Sequence, residues 1–324
     1  MGQSVQQLNL DILLKIEEEK QVNQGEDAAV SWIANDHLSG IIACLDGLGG
    51  SGAKRYSNAD NWTGARLGSF SCGRALVEWF LKNHIAELRL QGYSAEKIRD
   101  SVAQVLHERI EQLATSQSSA QSSLIVSSMI RSFPTTLAAV LLSAERDAMR
   151  ALFLWAGDSR CYLLTKNGLR QMTRDDLKHN IDPFDNLIKD GVMSNVVCAE
   201  GFHVNCVERR IVEPFIVITA TDGCFGYVRS PMTFEEMLLE TLMESNSPIE
   251  WENKLRTGIG SVTGDDYTLQ AAAAGFGDFE SLKQYYLPAW KKFQQRYEQR
   301  LRSARGEEEL RAIWNDYKLE YMGD

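Results

Sequence analysis

The residues best suited to chemistry in this chain are aspartates that stand where apolar runs give way to glycine. Segment 41–50, IIACLDGLGG, is a short apolar run that ends at Asp46 and continues into glycines. A run of this length bounded by glycines is typical of a buried strand that enters a tight loop. We therefore expect Asp46 at a strand end, where the glycines let backbone approach whatever the carboxylate binds.

Other acidic residues flank predicted strands in the same way: Glu26, Asp27, Asp158, Asp222, Asp265 and Asp266. Taken singly, an Asp-Gly after a strand is most often only a turn. If the strand ends converge, the carboxylates repel one another, and protons or divalent cations must relieve that repulsion. Such oxygen ligands suit Mg²⁺ or Mn²⁺, and two such ions can activate water for displacement at phosphorus.

The elements that must position these residues are grouped by type along the chain. Two strands are predicted within 28–46, and further strands at 135–142, 151–156, 161–165, 207–211, 215–220 and 267–274. Helical periodicity covers 63–90, 94–113, 234–243 and 249–257. This grouping predicts an α+β fold with antiparallel sheets rather than a doubly wound fold. The polar segment 174–205 predicts a long surface loop.

The composition changes after Gly277. Residues 279–322 are rich in Lys, Arg, Glu and Gln and carry two aromatic stripes of helical period, with Arg305-Gly306 between them. This pattern predicts a helical hairpin and divides the chain into units 1–277 and 278–324. Two interpretations stay open: the aromatic stripes pack on the first unit, or they bind a substrate, a kinase or a second copy.

Composition excludes several classes of function. The net charge of −10 over 324 residues argues against nucleic acid or an acidic membrane surface as the main partner. The six cysteines form no C-x-x-C pair, which is typical of reduced thiols in a cytoplasmic protein. No signal peptide and no membrane-spanning run is expected. The five histidines lack metal-ligand spacing, and segment 47–52 lacks the G-K-[ST] ending of a phosphate-binding loop.

Taken in order, the acidic motifs resemble those of the metal-dependent serine/threonine phosphatases, the type 2C protein phosphatases, in their bacterial form. The resemblance covers roughly residues 10–275, and the G-D-S-R turn followed by T-R-D is its most specific part. Thr135-Thr136-Leu137 also looks like that family. The motifs are Glu26-Asp27, Asp46-Gly47-Leu48-Gly49-Gly50, Gly157-Asp158-Ser159-Arg160, Thr221-Asp222-Gly223 and Asp265-Asp266-Tyr267-Thr268.

The resemblance implies an α-β-β-α sandwich of two antiparallel sheets flanked by helix pairs, with two Mn²⁺ or Mg²⁺ ions at one edge and a weaker third. It implies that Asp46 bridges two ions and that Asp27 orients the attacking water. The implied metal ligands are Glu26, Asp46, the carbonyl of Gly47, Asp158, Asp222 and Asp265, and the implied catalytic residues are Asp27 and Asp46.

The implied activity is hydrolysis of phosphoserine and phosphothreonine in a phosphoprotein by metal-activated water, in signal transduction. A cognate Ser/Thr kinase, or its target, is the implied partner. One departure from the family matters: Val22 stands where members usually carry an Arg that binds the phosphate. Lys20 cannot reproduce a bidentate Arg contact, and Arg55 is a second basic candidate. The alternative is therefore a catalytically weak, phosphatase-like binding or scaffold module.

Overall fold

The strands of this molecule form two large antiparallel sheets and one short hairpin. The computed structural model describes residues 8–86, 92–117, 131–179, 182–189, 191–198 and 201–323. The strands within these ranges are β1 (Leu10–Glu18), β2 (Ala28–Ile33), β3 (Ser39–Leu45), β4 (Arg55–Tyr56), β5 (Trp62–Thr63), β6 (Leu137–Ala144), β7 (Met149–Ala156), β8 (Arg160–Thr165), β9 (Gly168–Gln171), β10 (Asn205–Ile211), β11 (Phe215–Ala220) and β12 (Tyr267–Ala274).

The two large sheets pack face to face. Sheet I has the strand order β1–β12–β11–β8–β9, and sheet II has the order β10–β7–β6–β3–β2. Central strands such as β3 and β6 are buried on both faces, which explains why they read as continuous apolar runs instead of alternating ones. The inner faces share one apolar core, whose members include Leu10, Ile42, Val140, Phe153, Phe215, Val217 and Ala272.

Helices cover the outer face of each sheet. On sheet II the pair α2 and α3 buries the apolar faces of both helices, and on sheet I the pair α6 and α7 does the same. Ser230 and Ser247 cap α6 and α7 by accepting hydrogen bonds from backbone N–H groups of the first turn. The helices are α1 (Gly49–Gly52), α2 (Gly64–Ala86), α3 (Ala95–Gln117), α4 (Pro183–Asn186), α5 (Asp222–Phe225), α6 (Pro231–Met243) and α7 (Pro248–Gly260).

The chain beyond residue 278 adds a helical hairpin to the outer face of sheet I. It consists of α8 (Phe279–Phe293), a π-helical turn (Gln294–Glu298), α9 (Gln299–Ser303) and α10 (Glu307–Met322). Both aromatic stripes are buried in the same apolar cluster as α6 and α7. The hydroxyl of Tyr286 donates to the carbonyl of Leu164 at 3.0 Å, and that of Tyr317 donates to Glu235. The aromatic stripes therefore pack on the rest of the chain.

The α-β-β-α sandwich is confirmed, and the predicted strands end within two residues of the observed ones. The predicted helices are confirmed too, except that residues 87–90 lie outside the described residues. Strand β1 was not predicted, because the apolar run Ile12–Leu14 interrupts the alternation of its sequence, at the point where its pairing with β12 shifts register. The described residues of segment 174–205 are mostly irregular, as expected, but include the short helix α4. Every helix in the described ranges is too short or too polar to cross a bilayer.

Glu235 gives a stability test of the packing between α6 and the hairpin. Its carboxylate accepts from the N–H of Leu169 at 2.9 Å and from Tyr317, and burial raises its pKa to about 7. Because the folded state binds this proton more tightly than the unfolded state, the stability that Glu235 contributes is fully present below about pH 4.5 and is lost between about pH 4.5 and 7. We expect the free energy of unfolding of Glu235→Gln to decrease by about 3 kcal/mol less than that of the wild type over this pH range.

The measurement is chemical unfolding of both proteins across that pH range. Gln keeps a neutral amide that can still accept from Leu169 and donate to Tyr317. Glu244→Gln, an exposed substitution just beyond the end of α6, is the matched control and should follow the wild type. Parallel curves for the wild type and Glu235→Gln would contradict the prediction.

Candidate metal centre at one edge of the sandwich

Strand pairing brings the predicted acidic residues to one end of the two sheets. Ala28 lies opposite Leu45 in the β2–β3 pair. Asp27, the residue before β2, and Asp46, the residue after β3, therefore lie at the same edge. In sheet I, Ala220 lies opposite Leu269, so Asp222 and Asp265–Asp266 lie just beyond the same ends of β11 and β12. Asp158 belongs to the turn between β7 and β8, which begins at this edge as well. The antiparallel register therefore places all of these residues together.

Threonine side chains hold the backbone around Asp46. The Asp46 carbonyl accepts from the N–H of Thr136 at 2.8 Å and from the hydroxyl of Thr135 at 2.9 Å. The Asp46 N–H donates to the Thr136 hydroxyl at 2.9 Å, which also pairs with the Ser159 hydroxyl at 2.7 Å. Thr136 thus links the Asp46 loop directly to the turn that carries Asp158.

Glycines allow the loops at this edge to approach closely. A Cβ on Gly47 would lie 2.6 Å from the carbonyl oxygen of Glu26, and one on Gly49 would overlap the Glu26 carboxylate. A Cβ on Gly223 would collide with the carbonyl oxygen of Asp266. At Gly47 and Gly223, where the close atoms belong to backbone, only glycine lets the two segments pass so near each other.

Four aspartates at this edge are half-buried and repel one another. Desolvation, reinforced by the neighbouring carboxylates, raises the pKa of Asp27 to about 7 and that of Asp158 to about 8. The same causes raise the pKa of Asp222 to about 6 and hold that of Asp46 well above its ordinary value. Asp265 adds to the repulsion at Asp46 and Asp222. A divalent cation would relieve this repulsion.

The donor set fits a hydrated divalent cation. All of the donors are hard oxygens, and one carboxylate oxygen of Asp158 is buried without a hydrogen-bond partner. In the part of the chain that the structure describes, no three Asp, Glu, His or Cys side chains stand close enough to hold one metal ion. Ions such as Mg²⁺ keep several waters and are usually bound by one or two carboxylates, so a hydrated ion does not require three such side chains.

Glu26 is held by hydrogen bonds to residues outside the four aspartates. Its carboxylate accepts from the Thr63 hydroxyl, and desolvation raises its pKa. The Glu26 N–H donates to the Asp266 carboxylate at 2.8 Å, and so does the N–H of Lys20 at 2.7 Å. Asp266 therefore organises the loop before β2, whereas Asp265 is exposed and accepts from the Tyr227 hydroxyl at 3.4 Å.

Sequence reasoning gave no role to the ion pair behind Asp158. Arg160 donates two hydrogen bonds to Asp175, at 3.0 and 2.7 Å, and its guanidinium lies 4.1 Å from the centre of the Phe225 ring. Asp176 accepts from the N–H of Gly157, a residue with φ of +97°. The pair could have been inferred, because both G-D-S-R and T-R-D place a charge beside apolar runs.

The fold is that of the bacterial type 2C serine/threonine phosphatases, although no protein-family model and no curated protein matches the sequence. The catalytic domain of the phosphatase PstP, in complex with two manganese ions, is 18% identical with a TM-score of 0.55, over 82% of this chain and 99% of that one. PppA of Pseudomonas aeruginosa is 18% identical with a TM-score of 0.54, over 82% and 98%. Stp1 of Staphylococcus aureus is 12% identical with a TM-score of 0.55, over 85% and 98%.

Metal binding can be tested by thermal unfolding of chelator-treated protein during titration with MnCl₂. An ion that binds only the folded state stabilises it by about 2.7 kcal/mol at a hundredfold excess over its Kd, so Tm should rise. Asp158→Asn and Asp46→Asn remove ligand charge and should weaken this rise. Asp147→Asn, an exposed carboxylate paired with Arg210, is the matched control and should respond like the wild type. A Tm that does not change on addition of Mn²⁺ would contradict the assignment of a metal centre to this edge.

Proposed function

We propose that this chain is a Mn²⁺- or Mg²⁺-dependent protein serine/threonine phosphatase. The observation that supports it most is the convergence of Asp27, Asp46, Asp158 and Asp222 at one edge of a sandwich that has the phosphatase fold. Unit 1–277 would carry the activity, and unit 278–324 would be a helical extension packed on it. The substrate would be a phosphoprotein, with a cognate Ser/Thr kinase or its target as partner.

In this proposal Asp46, Asp222, Asp265, Glu26 and the carbonyl of Gly47 would hold two ions, and Asp158 with Asp222 would hold a weaker third. Bound divalent ions make water a better nucleophile and neutralise charge on the phosphoryl oxygens. Asp27 would orient the attacking water. Its Oδ2 accepts from the Thr221 hydroxyl at 2.8 Å, which steadies the carboxylate.

We also place the reaction in the cytoplasm and in signal transduction. The six cysteines are all free thiols, and five of them are buried. Free thiols are typical of a reducing compartment.

Activity is the direct test of the proposal. With Mn²⁺, the wild type should hydrolyse p-nitrophenyl phosphate and a phosphothreonine peptide. Asp46→Asn and Asp222→Asn should each lower kcat/KM by at least about 100-fold, because each would weaken binding of the cations that neutralise charge on the phosphoryl group. Asp147→Asn should keep wild-type activity. Activity without metal, or activity that survives both substitutions, would overturn the proposal.

The catalytically weak binding module is the second candidate, and it depends on what binds the phosphate. Val22, in the usual Arg position, is 83% exposed and offers no cation. Arg55 is a basic substitute beside the acidic edge: its guanidinium lies close enough to Glu26 to oppose the rise in the pKa of that carboxyl. It donates to the carbonyl of Asn61 at 3.0 Å and to the side chain of Gln24 at 3.1 Å. We propose that Arg55 contacts the substrate phosphate.

Steady-state kinetics separate the two candidates. Arg55→Gln should raise KM for phosphate esters about tenfold, since a charge-assisted hydrogen bond to phosphate is worth roughly 1.5–3 kcal/mol. Val22→Arg should restore a low KM in that background and change little in the wild type. The neighbouring Lys54→Gln is the matched control. An unchanged KM in Arg55→Gln would exclude Arg55 as the phosphate contact, and a wild type without turnover would favour the binding module.

A further inference from the structure

The open edge of the sandwich, between the edge strands β9 and β10, holds a cavity of about 550 Å³. It lies at the other end of the strands from the acidic edge. Strand β8 begins at the acidic edge with Arg160 and ends at the cavity with Thr165, which is part of the cavity lining. At about 3.3 Å per residue, this places the cavity on the order of 20 Å from Asp158. The proposed phosphatase reaction does not use this cavity.

Two arginines line this cavity from opposite sheets. Arg170 of β9 is paired with Leu163, which packs into the core between the sheets, so both belong to the inner face of sheet I. Arg209 of β10 lies between Val207 and Ile211, which pack into the same core, so Arg209 belongs to the inner face of sheet II. The two guanidinium groups therefore line one opening from its two sides.

Neither arginine is neutralised. Among the described residues Arg170 has no acidic partner, and the contact of Arg209 is a hydrogen bond to the carbonyl of Glu208 at 3.0 Å. The other charges that line the cavity are paired. Arg210 contacts Glu145 at 3.1 Å, Lys166 contacts Glu213 at 2.9 Å and Lys292 contacts Glu320 at 2.6 Å. Two unmatched positive charges thus face a cavity in a chain whose net charge is −10.

We propose that this cavity binds a small organophosphate. Guanidinium groups match phosphate oxygens by paired hydrogen bonds, and two of them can neutralise a phosphate dianion. The apolar residues Leu163, Ile211 and Val212 line the same cavity and suit an organic moiety. Val212 is 65% exposed, so part of this apolar surface is free to be covered. The volume lies within the range of small-molecule sites, roughly 300–1,000 Å³.

The C-terminal hairpin completes the cavity. Lys292 of α8 and Glu320 of α10 contribute to its lining. Gly323, just beyond α10, packs on Arg170, because a Cβ there would lie 3.2 Å from the guanidinium carbon. A bound organophosphate would therefore contact both sheets and the helical hairpin.

The test is isothermal titration of full-length, chelator-treated protein with AMP, inorganic phosphate and citrate. We expect one AMP per chain, and we expect Arg170→Gln and Arg209→Gln each to weaken it at least tenfold. Arg210→Gln, an arginine of the same opening that already has acidic partners, is the matched control and should change Kd less than threefold. Asp46→Asn should leave AMP binding intact, which separates this cavity from the acidic edge.

Three results would overturn the proposal. They are no binding of AMP or phosphate at millimolar concentration, equal AMP affinity in all arginine variants, and citrate binding more tightly than AMP. Both arginines are exposed, so their replacement should leave the fold intact, and thermal unfolding of each variant checks this. Photolabelling of the wild type with 8-azido-AMP should mark peptides from β8–β9 or β10, and labelling confined to other peptides would also overturn it.

Discussion

Electrostatic repulsion among half-buried carboxylates is the constraint around which this structure is arranged. Asp27, Asp46, Asp158 and Asp222 end up together because four different strands reach the same edge of the sandwich. Their charges cannot relax apart, because hydrogen-bonded backbone holds each one. Thr136 ties the Asp46 loop to the Asp158 turn, and Thr221 ties Asp27 to the end of β11. A folded chain that keeps so much like charge together favours bound cations or protons at this edge.

The surroundings of the acidic edge stiffen it and offset its charge only in part. The Arg160 guanidinium is the nearest buried cation, but its two hydrogen bonds go to Asp175, so the pair supports the Asp158 turn from behind. A buried ion pair of this kind adds little net stability, yet removing one partner is costly. This arrangement leaves the opposing carboxylates available for an exogenous cation. Glu235 is a second buried carboxylate that is held by hydrogen bonds. It joins β9 of sheet I to the hairpin, and burial raises its pKa.

Sequence patterns predicted the antiparallel strands and the carboxylates at their ends, and the family resemblance added the four layers. Continuous apolar runs gave the central strands, and the Asp-Gly motifs gave the residues at their ends. These patterns could not predict which residues far apart in the chain contact each other. Tyr317 and Glu235 lie 82 positions apart, and their contact depends on how the hairpin packs on α6. Likewise, the different roles of Asp265 and Asp266 follow from the path of the loop before β2, where Asp266 receives the N–H groups of Lys20 and Glu26.

The geometry of the β4–β5 hairpin positions Arg55, the residue proposed to contact the phosphate. Arg55 and Thr63 belong to the same short β4–β5 hairpin, so the residue proposed to bind phosphate and the hydroxyl that holds Glu26 are positioned together. Asp60 and Asn61, in the turn of that hairpin, both adopt left-handed backbone, with φ of 51° and 58°. This conformation presents the Asn61 carbonyl to Arg55. A cation carried by this hairpin can therefore replace one from the Val22 loop, because Gln24 and Asn61 hold the guanidinium between the two segments.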